Sequence, residues 1–143
     1  MIRKKVTFIG LGVMGYPMAG HLKKNNIEVT VYNRTSSKSD KWINEYGGFS
    51  ESTPGNASRN SEIIFICVGK DSDLREVMEG EEGILKNVRE NTIIVDHTTA
   101  SANIAREYFE ICKNHNLHFL DAPVSGGQAG AENGKLSIMI GGE

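Results

Sequence analysis

Short apolar runs alternate along the chain with stretches of helical period, and this alternation restricts the possible folds more than any other feature. The runs cover residues 5–9, 27–32, 62–68, 92–96, 117–121 and 136–140. "EIIFICV", residues 62–68, is apolar almost throughout, as in a strand covered on both faces. "IEVTVY", residues 27–32, instead alternates with period two. Between the runs, Met14, Met18 and Leu22 recur four apart on one helix face. Residues 36–46 form a second helix, with Trp42, Ile43 and Tyr46 inward and Gly47-Gly48 as its stop. Asp71 or Ser72 caps a third, which carries Leu74, Val77 and Met78. Residues 101–114 form a fourth, with Ile104, Tyr108 and Ile111 on one side. The fold class predicted is α/β: a doubly wound, mostly parallel sheet with helices on both faces.

Composition removes several functions. A chain of 143 residues suffices for one domain with a real core. Its formal charge of −2 provides no general attraction to nucleic acid or to an anionic membrane. "RKK", at Arg3 to Lys5, reads as a solvated lead-in to the first strand. No apolar stretch has the length of a membrane span and no signal peptide opens the chain, so a cytoplasmic location is the expectation. Cys67 and Cys112 lie in apolar surroundings without metal spacing, as core thiols do. His115 and His118, in "HNLH", have no third ligand within reach, and no metal site is expected. "GAENGKL" lacks the first glycine and the final hydroxyl residue of a P-loop.

In an open parallel sheet, ligands bind at the carboxyl ends of the strands. "VTFIGLGVMGYPMAGHL" places Gly10, Gly12 and Gly15 at G-x-G-x-x-G spacing at such an end. With 16 glycines in the chain, this spacing arises by chance roughly 0.2 times, so its context has to decide. The preceding strand and following helix supply that context. Gly10 permits a tight turn, Gly12 close approach of a pyrophosphate, and Gly15 close packing of helix on sheet. The N–H groups of Leu11, Val13 and Met14 are then expected to point at phosphate oxygens.

The second strand ends in Asn33-Arg34-Thr35, with no carboxylate to accept from the ribose hydroxyls of NAD. Arg34 presents a planar fork suited to a phosphate, and Thr35 adds a hydroxyl. One charge-assisted hydrogen bond contributes about 1.5–3 kcal/mol, a preference for NADP over NAD of roughly tenfold to a hundredfold. His97, Asp96 and Asp121 also end strands. His97 lies near the expected chemistry, while the two aspartates read as loop-fixing groups.

Four stretches resemble the β-hydroxyacid dehydrogenase family: "FIGLGVMGYPMAGHL", "YNRT", "VDHTTAS" and "DAPVSGGQAGAENGKLSIMIGG". The resemblance runs over essentially the whole chain and leans to the 3-hydroxyisobutyrate dehydrogenase and semialdehyde reductase branch. It implies a Rossmann-like domain binding NADP, with NAD less favoured. It also implies that Thr99 lies near the nicotinamide, that Val68 and Gly69 line the cofactor, and that Ser125, Gly126 and Gly127 hold a substrate carboxylate. Consecutive glycine N–H groups and a hydroxyl suit such an anion.

Family members also use a lysine on a later helix as general acid/base, and a helical second domain. The expectation is therefore that residues 1–143 form an incomplete N-terminal domain with no catalytic residue of its own. Such a piece binds cofactor without turnover, and the full-length protein is a homo-oligomer. Lys135 leads into a strand and is not a candidate. The alternatives are a non-catalytic dinucleotide-binding module and an enzyme resembling the imine reductases; "DAPVSGG" argues against the latter, because an imine has no carboxylate.

Overall fold

A computed structural model describes residues 4–138, 140 and 141. Six strands form one parallel sheet: β1 (Lys5–Ile9), β2 (Glu28–Tyr32), β3 (Phe49–Ser50), β4 (Ile63–Ile66), β5 (Ile93–Asp96) and β6 (His118–Asp121). Their spatial order is β3-β2-β1-β4-β5-β6. The order reverses between β1 and β4, which in register pair Phe8 with Phe65 and Ile9 with Ile66. This is the doubly wound, Rossmann-like arrangement, with its crevice at the switch point.

Helices cover both faces because β1 sends alternate side chains each way. On one face Val6 and Phe8 pack with Val29, Val31, Ala19 and Trp42, beneath α1 (Gly15–Lys24) and α2 (Ser36–Tyr46). On the other, Ile9, Ile64, Ile66 and Ile94 pack under α4 (Asp71–Glu79) and α5 (Ala102–Asn114). A short α3 (Pro54–Ser58) lies between β3 and β4. Thr7, facing this second side, donates from its hydroxyl to the Ala57 carbonyl at 2.5 Å, so its polarity is satisfied inside the sheet.

Three local expectations need correction. The α1 face carrying Met14, Met18 and Leu22 is only half-buried; Gly15, Pro17, Ala19 and Gly20 are the buried residues. Small residues bring the helix close: a Cβ on Gly20 would run into the Tyr46 ring. Neither Asp71 nor Ser72 caps α4, whose N-cap position is Lys70. Asp71 accepts instead from the Ser101 N–H at 3.0 Å and hydroxyl at 2.8 Å, and these bonds hold its carboxyl below the usual range. Ser101 itself caps α5, and Cys112 rather than Ile111 completes the buried stripe of Ile104 and Tyr108.

The expected strand at 136–140 does not join the parallel sheet. β7 (Val124–Ser125) pairs antiparallel with β8 (Ser137–Ile138), around α6 (Gly127–Glu132). Gly141 then makes an antiparallel bridge to Asp121 at the edge of β6. Met139, from that expected strand, and Arg3, from the basic lead-in, lie outside the described residues.

Candidate functional site

At the carboxyl ends of β1 and β4 lies a cleft of about 360 Å³. Gly10 and Gly12 form part of its wall, with Asn33, Arg34, Val68 and Gly69. These six positions, drawn from three strand ends, are all among the expected cofactor residues.

The three glycines differ in what holds them. Gly10 has φ +99°, and a Cβ there would collide with the Cys67 carbonyl oxygen across the switch point. A Cβ on Gly15 would collide with the Gly10 carbonyl oxygen and lie 3.1 Å from Phe8 Cε1. Folding alone requires these two. At Gly12 a Cβ would meet nothing within 4 Å. Packing leaves that position open, at the place where a ligand could approach the backbone.

Among the described residues, the N–H groups of Gly12, Val13 and Met14 donate to no protein acceptor. The expectation for Leu11 is corrected. Its N–H donates to Asn33 Oδ1 at 2.9 Å, and the residue is 1% exposed. Asn33 Nδ2 donates in turn to the Thr35 carbonyl at 3.0 Å, so this amide clamps the turn after β1 to the turn after β2. Val13, by contrast, is 63% exposed. Thr35 takes the N-cap position of α2 without a capping bond from its exposed hydroxyl.

Arg34 meets two acids that sequence reading did not place here. Its Nη1 lies 3.3 Å from Asp73 Oδ1 and 3.8 Å from Glu76 Oε2, both on α4. All three residues line the cleft. Asp73 and Glu76 are three apart and share a helix face, a signal present in the sequence. Which way that face points depends on the packing of Leu74, Val77 and Met78.

Behind the Val68 end of the cleft, Thr98 is buried, and its hydroxyl accepts from the Val68 N–H at 3.1 Å. Asp96 Oδ1 accepts from the Thr98 N–H at 2.9 Å. Asp96 thus steadies Thr98, and Thr98 steadies Val68 at the cleft. Asp96 Oδ2 is buried with no partner among the described residues. Burial pushes the Asp96 carboxyl up to about 6, against the opposing Thr98 bonds. His97 is stacked on Phe65 and donates from Nδ1 to the Ala122 carbonyl at 2.7 Å; burial pushes its pKa down. The ring packs inside the domain and does not line the cleft. Cys67 borders the cleft as a thiol, pushed up to about 11 by burial and by Asp96.

Thr99 is exposed and stands outside the cleft lining, as do Ser125, Gly126 and Gly127. Gly126 and Gly127 both have positive φ, +124° and +63°. His21 of α1 ties the adjoining α6 to the glycine-turn helix, donating from Nε2 to the Ala131 carbonyl at 2.8 Å.

A turn of unpartnered amides at the switch point of a doubly wound sheet defines a dinucleotide-binding class of domain. The chain belongs to the family described as the NAD binding domain of 6-phosphogluconate dehydrogenase, whose model matches residues 5–143. An uncharacterized oxidoreductase of Shewanella frigidimarina is 57% identical over 97% of this chain and 48% of its own length. A probable 3-hydroxyisobutyrate dehydrogenase-like protein of Arabidopsis thaliana is 41% identical, over 97% of this chain and 42% of its own. The structure of Mycobacterium tuberculosis 3-hydroxyisobutyrate dehydrogenase with L-serine superposes with a TM-score of 0.90 at 26% identity, covering 99% of this chain and 47% of that one. The chain spans about half the length of the curated relatives it matches. It is a pyridine-nucleotide-binding domain related to those of the hydroxyisobutyrate dehydrogenases.

Proposed function

We propose that the cleft binds NADP(H) in preference to NAD(H), for an enzyme that interconverts a short β-hydroxyacid and its semialdehyde. The observation that carries this reading is the open space at Gly12 beside unpartnered backbone N–H groups. The amides of Gly12, Val13 and Met14 would receive the pyrophosphate, where they complement its charge. Gly10 and Gly15 hold the turn in shape, and Leu11 contributes through its clamp to Asn33. Arg34 and Thr35 would meet the adenosine ribose, Val68 and Gly69 would border the coenzyme, and Thr99 would approach the nicotinamide.

The coenzyme, when bound, supplies a hydride donor or acceptor. The chain's own contribution is position. Ser125, Gly126 and Gly127 would hold the substrate carboxylate and so orient the reacting carbon. A general acid/base lysine from beyond Glu143, and a helical partner domain closing the site, complete the reading. On this basis residues 1–143 alone bind coenzyme without turnover, in a homo-oligomeric cytoplasmic enzyme when full-length.

The test is a fluorescence titration of the chain with NADPH and with NADH. NADPH is expected to bind more tightly, by roughly tenfold or more, with Arg34→Asp abolishing that difference. Equal affinity for the two, or NADPH binding unaffected by Arg34→Asp, overturns the Arg34 assignment. Binding of neither coenzyme overturns the dinucleotide reading.

A further inference from the structure

We propose that Asp73 and Glu76 of α4 set the coenzyme preference of the cleft, by competing with a ribose 2′-phosphate for Arg34. This rests on the dinucleotide reading above and goes beyond it: it names the groups that limit the NADP preference. The end of β2 carries no carboxylate, yet α4 supplies two from the facing wall. The Arg34 side chain is 71% exposed and Glu76 66%, whereas Asp73 is only 18% exposed. Asp73 is therefore the more firmly held partner. Its Oδ2 abuts the Gly69 turn, 2.9 Å from where a Cβ would stand.

Both carboxylates approach Nη1, and among the described residues the remaining Arg34 donors have no partner. The guanidinium can thus turn part of its fork to a new anion, but only beside two existing ones. A dianionic phosphate gains Arg34 and meets like charge from Asp73 and Glu76; a ribose bearing a free hydroxyl meets no such repulsion. Exposed charge pairs of this kind are worth factors of about two to five in an equilibrium constant. The acids therefore hold the cleft closer to dual use than Arg34 alone would.

Titrating NADPH and NADH into the chain and into Asp73→Asn, Glu76→Gln and the double variant tests this. Each single change is expected to raise the ratio of NADPH to NADH affinity about two- to fivefold, and the double change further. The gain should shrink at high salt, where these exposed charges are screened. Circular dichroism confirms folding, and Glu76→Gln, on an exposed face, carries the test should Asp73→Asn fail to fold. An unchanged ratio in folded variants, or one moved toward NADH, overturns this proposal and leaves the dinucleotide reading standing. Binding of neither coenzyme to the unmodified chain overturns both.

Discussion

Gly12 separates what the fold needs from what a ligand needs. Methyl groups at Gly10 and Gly15 strike backbone carbonyls, so changes there damage the domain itself. Gly12→Ala adds its methyl to open space outside the left-handed region. Its thermal midpoint is expected to stay near that of the parent chain while NADPH affinity falls tenfold or more, by about 1.4 kcal/mol or more. Parallel melting and titration curves check this, and a loss of both together would show a structural role. Asp96 invites a pH experiment. Its carboxyl is pushed from 3.8 to about 6 by burial, with the Asp121 and Asp71 carboxylates adding to the shift and Cys67 and His97 close by. A folded chain then holds a proton at Asp96 that the unfolded chain has released, so this carboxyl's contribution to stability falls as pH rises from about 4 to about 6 and levels off above. The full effect is about 3 kcal/mol. Asp96→Asn keeps the oxygen that accepts from Thr98 and removes the titration. Urea denaturation across that pH window should show the variant gaining on the parent chain as pH rises.

Among the elements, legibility followed the strength of the periodic signal. The helix at 36–46 and the strand at 5–9 appear with the boundaries expected of them, because the apolar stripe and the glycine stop agree at one and the apolar and β-branched residues run straight into the Gly10 turn at the other. Apolar spacing points to the wrong face of α1 for a physical reason. Hydrophobic spacing marks large side chains, whereas close packing of this helix is achieved by Ala19 and Gly20, which such spacing ignores. β3 and α3 escaped because two and five residues are too few to display a period. The six residues gathered from three strand ends were legible because the glycine spacing, the residues that close the second strand and the family resemblance each point to the carboxyl ends of the strands. The acids of α4 were not, since their direction is a property of tertiary packing. Asp71 shows the same limit: its side chain seeks Ser101, thirty residues away, rather than its own helix start.

For the molecule as a whole, stability should be graded outward from the switch point. β1 carries buried residues on both faces, β4 carries buried Ile64 and Ile66 on one face and half-buried Ile63 and Phe65 on the other, and both strands have paired neighbours on either side. β3 and the β7–β8 ribbon are two-residue pairings with largely exposed side chains. Hydrogen exchange is expected to protect the amides of β1 and β4 most and those of β3, β7 and β8 least. Equal protection across these strands would contradict a core centred on the first and fourth. No helix among the described residues is long and apolar enough to cross a membrane. The reversal of strand order has one more consequence. β1 and β4 lie side by side yet deliver their chains to helices on opposite faces, so the backbone parts at their ends before any guest arrives. A guest bound there as proposed would spend little on ordering the backbone of its host, leaving side chains such as Arg34 to do the adjusting.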